Sequence, residues 1–260
     1  GQFGITLSRI LNKESHQVYI TTRKPKILKN KIKKYGLKRI KILKLNILNK
    51  KNIRKILQNN FDYIFFFAGQ SSPSISFKKP SITLQSNYQG CKNFLDELLI
   101  SNKRSKFINA TSSEIFASSV KKIKVNSQKK PISPYGKSKL QSYQITKKYR
   151  DKFNLLSYNA IIFNTESTLR DKRYLIPKIC IAAIKSKLRN EKTKFGNLNI
   201  VREWNWCEEQ CLLLIKMIKL KANDYILSNG RPFSGIQMMK YAFEFFDLNY
   251  KDYIETSKSF

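Results

Sequence analysis

Acidic residues are scarce in this chain. Among 260 residues there are 17 Asp+Glu against 51 Lys+Arg, a formal net charge of +34. Histidine is reduced to His16, and cysteine to Cys91, Cys180, Cys207 and Cys211. Only Cys207 and Cys211 are close, four apart on an apparent helix, and no histidine accompanies them. A metal site needs three or four ligands, so no metal is expected, and thiols of a cytosolic protein are the default reading. Long apolar runs are also missing: none approaches the about 20 residues of a membrane span. The longest, Phe61–Ala68 (FDYIFFFA), has the size of a buried strand. No repeat, low-complexity linker, zinc-finger spacing, RNA-recognition signature or basic zipper is present, and nothing at the opening GQFG resembles a signal peptide. The lysines are spread along the whole chain among abundant Ile, Asn, Phe and Tyr. That pattern reads as compositional bias and not as a nucleic-acid footprint. Cytoplasmic location without a membrane partner is the expectation.

What is present suffices for a core: 41% hydrophobic residues and 12% aromatics exclude a disordered chain. Candidate strands are Gln17–Thr22, Ile40–Leu45, Tyr63–Ala68, Lys106–Thr111 and Ser157–Phe163. Helical patterns at Ile5–Lys13, Lys50–Gln58, Ser81–Ser101 and Tyr135–Asp151 separate them. Strands without polar alternation, separated by helices, predict an α/β fold with a doubly wound, Rossmann-like parallel sheet. Residues 1–165 are assigned to a dinucleotide-binding domain, and 166–260 mostly to a small substrate lobe interleaved with it. That lobe is expected to hold Asn199–Trp206, a helix around Glu208–Leu220, a short YILSNG strand and a helix around Ser234–Phe246.

Such sheets bind ligands beyond the carboxyl ends of their strands, so the informative residues should follow each strand. Gly69-Gln70-Ser71-Ser72, Ser112-Ser113-Glu114 and Asn164-Thr165-Glu166-Ser167 stand there. Gly1-Gln-Phe-Gly4 leads into a helical pattern, where glycines let a backbone approach a pyrophosphate. Tyr135 and Lys139 are four apart and share a helical face. An ammonium beside a phenol lowers the phenol's pKa, fitting it for proton transfer. Ser112 offers a hydroxyl to a reacting oxygen, and Glu114 a carboxylate base.

These residues resemble extended short-chain dehydrogenases/reductases, and within them the GDP-mannose 4,6-dehydratases. GQFG at Gly1–Gly4 is similar to the family's GQDG, and Ala110–Ala117 (ATSSEIFA) to its ASTSELYG. Ser133–Arg150 looks like its SPYAxxKxxxxxxTxxYR, Ile162–Arg170 like its LFNHESPRR, and Gly196–Asn205 like its GNLxxxRDWG. The likeness runs from the first residue to about Leu248.

The resemblance implies GDP-mannose or a related nucleotide sugar as substrate, NADP as a recycled cofactor, and a homodimer or tetramer. It implies catalytic roles for Ser112 (where the family has Thr), Glu114, Tyr135 and Lys139. Cofactor contacts would come from Gly1, Gln2, Phe3, Gly4, Arg23, Asn46, Ile47, Ala68, Gly69, Gln70, Ser71, Tyr135, Lys139, Thr165 and Arg170. Substrate contacts would come from Ser72, Asn164, Glu166 and Arg202. Arg23 would meet the adenosine 2′-phosphate. An epimerase or reductase of the same superfamily, a truncated inactive relative, and a basic Rossmann-fold polyanion binder are the alternatives. No strand precedes the glycine turn in this sequence. In a doubly wound sheet that strand is central, so two strand edges are expected to lack a partner, as in a fragment of a longer chain.

Overall fold

The computed structural model describes residues 1–101, 104–116 and 122–256. The chain begins with α1 (Gln2–Lys13), β1 (Tyr19–Thr22), α2 (Pro25–Lys34), β2 (Lys41–Lys44), α3 (Lys50–Leu57) and β3 (Tyr63–Phe66). Short helices α4 (Pro73–Lys78) and α5 (Pro80–Leu84) run into a π-helical turn (Gln85–Gln89), then α6 (Gly90–Ser101) and β4 (Lys106–Ser112). After a 3-10 turn (Ser113–Ile115) come α7 (Pro134–Phe153), β5 (Ser157–Ile162), β6 (Asn164–Glu166), α8 (Leu175–Arg189), β7 (Thr193–Phe195) and β8 (Val201–Trp206). The remainder holds α9 (Cys207–Met217), β9 (Asp224–Leu227), β10 (Pro232–Ser234), α10 (Gly235–Glu244), a second 3-10 turn (Tyr250–Asp252) and β11 (Ile254–Thr256). None of the described helices is long and apolar enough to cross a membrane.

The residues form two compact units. The first holds residues 1, 3–162 and 208–227, and the second residue 2, 163–207 and the described residues from 228 on. In the first unit β3-β4-β5-β9 make a parallel sheet, and β1-β2 a separate parallel pair. All of β5, and all of β4 after Lys106, is buried, as parallel strands covered on both faces must be. Adjacent residues point to opposite faces. Phe107 joins Ile53, Leu57, Leu95, Leu98 and Leu155 in one core, and Ile108 joins Ala160, Leu214, Met217 and Leu227 in another.

Among the described residues β1 pairs only with β2, and β3 only with β4. The two sheets meet through side chains: the Tyr19 and Phe61 rings lie edge to face at 5.1 Å. The sheet is therefore in two pieces, as the sequence predicts.

Other expectations change. The helix around Glu208–Leu220 and the YILSNG strand belong to the first unit and not to the small lobe. β9 extends the main sheet beside β5, from Asn159↔Asp224 to Ile162↔Leu227. Asp224 is buried there because it accepts from Tyr143 Oη (2.6 Å), Arg150 Nη2 (2.8 Å) and Asn159 Nδ2 (2.9 Å). Residues 163–165 fall in the second unit, where β6 pairs with β8. The helix expected over Ser81–Ser101 is α5, the π turn and α6 in succession. Helices α2, α4 and α8 are additional. Lysines mask the pattern of α2, in which Ile32 alone is buried. The second unit carries the sheet β10-β8-β6 and the parallel pair β11-β7. Its core includes Ile179, Ala183, Phe195, Leu198, Met239 and Phe243.

Candidate active site

The site is built where β4 ends and α7 begins. Ser112 closes β4, and the chain turns at once, with Ser112 Oγ accepting from Glu114 N at 3.3 Å. Helix α7 starts at Pro134, whose fixed φ suits a first helical position, behind Ser133, whose Oγ accepts from Gly136 N at 3.0 Å. One turn then separates Tyr135 from Lys139, and both are buried. Lys139 Nζ donates to Ala110 O at 2.8 Å and lies 5.9 Å from the Tyr135 ring centroid. Thr111 Oγ1 donates to Lys139 O at 3.4 Å. A β-carbon on Gly136 would stand 2.5 Å from Glu114 O, so the turn after β4 rests directly on the first turn of α7. These contacts set the turn after β4, which carries Ser112 and Glu114, against the first turn of α7, which carries Tyr135 and Lys139.

Burial pushes the Lys139 ammonium down to about 8, against a smaller opposing pull from Cys91. It remains largely charged near neutrality. An ammonium has three donors, and Ala110 O takes one of them. A phenol held beside a cation is chemically competent for proton transfer.

The loops after β1, β2 and β3 also lie in the first unit. Gly69 has φ +139°, a backbone that side chains resist, and follows Ala68. The Gln70 side chain is folded onto its own loop: Nε2 donates to Ser72 O (2.7 Å) and Oε1 accepts from Ser72 N (3.0 Å). Ser72 is buried and caps α4, its Oγ accepting from Ile75 N at 3.4 Å, while Ser71 is exposed. After β2, Asn46 Oδ1 accepts from Leu48 N (3.1 Å) and Ile47 is half-buried. After β1, a cavity of about 450 Å³ is lined by Arg23, Lys24, Pro25, Lys26, Ile27 and Lys44. Lys24, Lys26 and Lys44 are cations that inspection of the sequence missed; only the Thr22↔Lys44 register brings the last of them to Arg23.

The glycine turn is part of α1 itself: Gly1 is the N-cap and Gly4 lies in the first helical turn. Phe3 stacks on Phe67 at 5.3 Å. An α-helix N-terminus of this kind offers backbone N–H groups and a positive dipole to an anion. With the Gly69 bend, these features fit a nicotinamide dinucleotide.

The remaining predicted residues lie in the second unit. β6 holds Asn164, Thr165 and Glu166 opposite Trp204, Asn205 and Trp206 of β8, and Arg202 is further along β8, exposed. Gln2 belongs with them by its contacts: Nε2 donates to Thr165 O (2.9 Å) and Oε1 accepts from Ser167 Oγ (2.7 Å). Arg170 stacks on the Tyr174 ring at 3.6 Å, and its Nε stands 3.5 Å from Glu166 Oε2 without a hydrogen bond. Burial therefore dominates and pushes Glu166 up to about 7, with Arg170 opposing. Cys207 and Cys211 are buried on α9. Ala117, the last residue of the ATSSEIFA block, lies outside the described residues.

A parallel sheet wound with helices, ending at a Ser, Glu, Tyr and Lys cluster, is the architecture of extended short-chain dehydrogenases/reductases. Within that class, the chain belongs to the GDP-mannose 4,6 dehydratase family, whose model matches residues 1–259. It is 29% identical over 252 residues to the GDP-mannose 4,6-dehydratase sdnI of Sordaria araneosa, covering 94% of this chain and 46% of that protein. It is 30% identical over 200 residues to the GDP-mannose 4,6-dehydratase of Sinorhizobium fredii, covering 74% and 57%. The chain thus spans about half the length of these curated relatives. Among solved structures, its fold is similar to that of DesIV, a dTDP-glucose 4,6-dehydratase from Streptomyces venezuelae solved with NAD bound. The TM-score is 0.86 at 15% identity, with 100% of this chain and 82% of the other covered. It is also similar to a UDP-glucuronic acid 4-epimerase from Bacillus cereus, with a TM-score of 0.84 at 16% identity, covering 100% and 84%.

Proposed function

We propose that this chain is a nucleotide-sugar 4,6-dehydratase that converts GDP-mannose to GDP-4-keto-6-deoxymannose. The observation that carries this reading is the contact of Glu114 O with Gly136, which sets a carboxylate residue beside the turn bearing Tyr135. Proton transfer at a sugar hydroxyl needs the Tyr–Lys pair alone, and elimination needs a further base.

In this reading NADP is held by the glycine turn, the Gly69–Ser71 loop and Asn46–Ile47, with Thr165 and Arg170 contributing. Arg23 supplies a planar guanidinium to the 2′-phosphate, and Lys24, Lys26 and Lys44 add charge around the same cavity. When bound, the dinucleotide supplies a hydride acceptor for C4 of the sugar and a hydride donor for C6. Tyr135 takes the C4 hydroxyl proton, and Lys139 stabilises the phenolate. Ser112 donates a hydrogen bond to the C4 oxygen. The ketone at C4 acidifies the C5 hydrogen, which Glu114 removes. Glu114 then gives that proton to the departing C6 hydroxyl, which leaves as water, and the proton held by Tyr135 returns to C5. Asn164, Glu166, Arg202 and Ser72 hold the substrate, Arg202 near the diphosphate, and the working form is a homodimer or tetramer.

Proton NMR of GDP-mannose incubated with the chain and NADP tests the proposal. A new C6 methyl doublet is expected, and Glu114→Gln should abolish it while leaving NADP binding intact. A product that keeps its C6 hydroxymethyl group assigns an epimerase or reductase instead. Full turnover by Glu114→Gln removes the role given to that residue.

A further inference from the structure

Most lysines of this chain are exposed, but Lys129 is half-buried. An ammonium has three donors, and Lys129 Nζ gives two of them to carbonyls of its own stretch, Val125 O at 2.7 Å and Ser127 O at 3.4 Å. It also stands over two aromatic rings, 5.4 Å from the Phe116 centroid and 5.1 Å from the Tyr143 centroid, within the range of a cation–π contact. The two rings belong to different elements. Phe116 is buried and directly follows the 3-10 turn that carries Glu114, its N–H donating to Ser113 O at 3.1 Å. Tyr143 is buried on α7, two turns past Tyr135, and its hydroxyl donates to Asp224 at 2.6 Å. The stretch that carries Lys129 runs on to Pro131, whose Cβ would stand 2.9 Å from a β-carbon on Gly136. Burial lowers the pKa of Lys129 below the ordinary 10.5, with the charge of Asp224 opposing. Carbonyl dipoles and ring faces thus hold this cation.

We propose that Lys129 is a positioning residue: its ammonium clips the Phe116 end of the turn that carries Glu114 to α7, which carries Tyr135 and Lys139. The cation is common to both rings, so the turn and the helix keep one spacing through it. In the sequence it is one lysine among many, and nothing in NSQKKPISP marks it. The clip is a statement of geometry. Its value for elimination rests on the function proposed above.

The test uses the full chain with Lys129→Met, which keeps an unbranched stem and removes the cation. Lys129→Arg keeps a cation that stacks on aromatic faces. Lys124→Met, at an exposed lysine of the same stretch, is the control. Hydrogen exchange read by mass spectrometry should speed up about tenfold over residues 113–116 and 122–131 in Lys129→Met, with β5 and α8 unchanged. With GDP-mannose and NADP, kcat for the C6 methyl product should fall about tenfold or more, while KM and NADPH affinity stay within about threefold. Lys129→Arg should return exchange and kcat to within about threefold of the parent, and Lys124→Met should match the parent. Exchange in Lys129→Met equal to that of the parent overturns the clip. So does Lys129→Arg that behaves like Lys129→Met, which leaves an ordinary loop contact. Faster exchange with an unchanged kcat removes the positioning role. A parent chain that forms no product sinks the dehydratase reading, while the exchange data still decide the clip. Should Lys129→Met not fold, Phe116→Leu takes away one of the two rings. It is expected to speed exchange over residues 122–131, and unchanged exchange there is equally fatal.

Discussion

Glu114 and Gly136 touch through their backbones: the space where residue 136 would carry a β-carbon lies 2.5 Å from the Glu114 oxygen and 2.9 Å from Pro131 Cβ. Alanine at 136 must displace the turn that carries the proposed base. A displacement near 1 Å at a reacting group costs on the order of 100-fold in rate. Gly136→Ala is therefore expected to slow elimination by about that factor while NADPH affinity stays within about threefold. Progress curves by NMR, paired with cofactor titration, check this. Equal loss of both would mean general misfolding.

Gly4 presents the opposite case. Nothing lies within 4 Å of a β-carbon built there, and the residue sits in the first turn of α1. Alanine in a helix is favoured over glycine by about 0.5–1 kcal/mol. Gly4→Ala should therefore stabilise the chain in urea melts, and at the same time weaken NADPH binding, because the methyl group intrudes where a pyrophosphate would approach. A variant that gains stability and keeps its affinity would take the glycine turn out of the cofactor site.

Lys139 links the site to pH. Its folded pKa, about 8, lies below the ordinary 10.5, so between these values the unfolded chain binds more protons than the folded one. Stability contributed by this group therefore rises with pH across that window. Relative to Lys139→Met, the parent chain should gain up to about 3 kcal/mol between pH 7.5 and 10.5. Denaturation of both proteins at the two pH values reads the gain. A constant difference would show that the ammonium is better solvated than its burial implies.

For Glu166 the sign is reversed. A carboxyl raised from 4.5 to about 7 contributes stability fully below the lower value and loses it as pH climbs through the upper one. Glu166→Gln should melt like the parent near pH 5 and be more stable by up to about 3 kcal/mol at pH 8. Melting curves at the two pH values suffice. A variant that is less stable at pH 8 would mean that the Arg170 pair outweighs desolvation.

Strands β4 and β5 and helix α7 were legible because each is a long, uninterrupted signal. The strands are apolar runs buried on both faces, and Pro131 and Pro134 announce the helix. The Tyr135–Lys139 pair follows from helical spacing alone. The π turn was not legible, since Asn87 is held by partners 17 and 51 residues away. The allotment of β9 failed for a similar reason: a four-residue strand carries no mark of its sheet, and burial of Asp224 among Tyr143, Arg150 and Asn159 decides it. Nor does any pattern reveal that Lys139 reaches back to Ala110 O, across 29 residues of chain.

Lysine and arginine number 51 and the acids 17, so most cations of this chain lack an acidic partner. In dilute buffer the surplus of 34 positive charges holds copies apart. Added electrolyte shortens the reach of that repulsion, to about 8 Å at physiological strength. The colloidal behaviour of this polypeptide is thus governed by ionic strength: low salt keeps copies dispersed, and concentrated salt lets them approach.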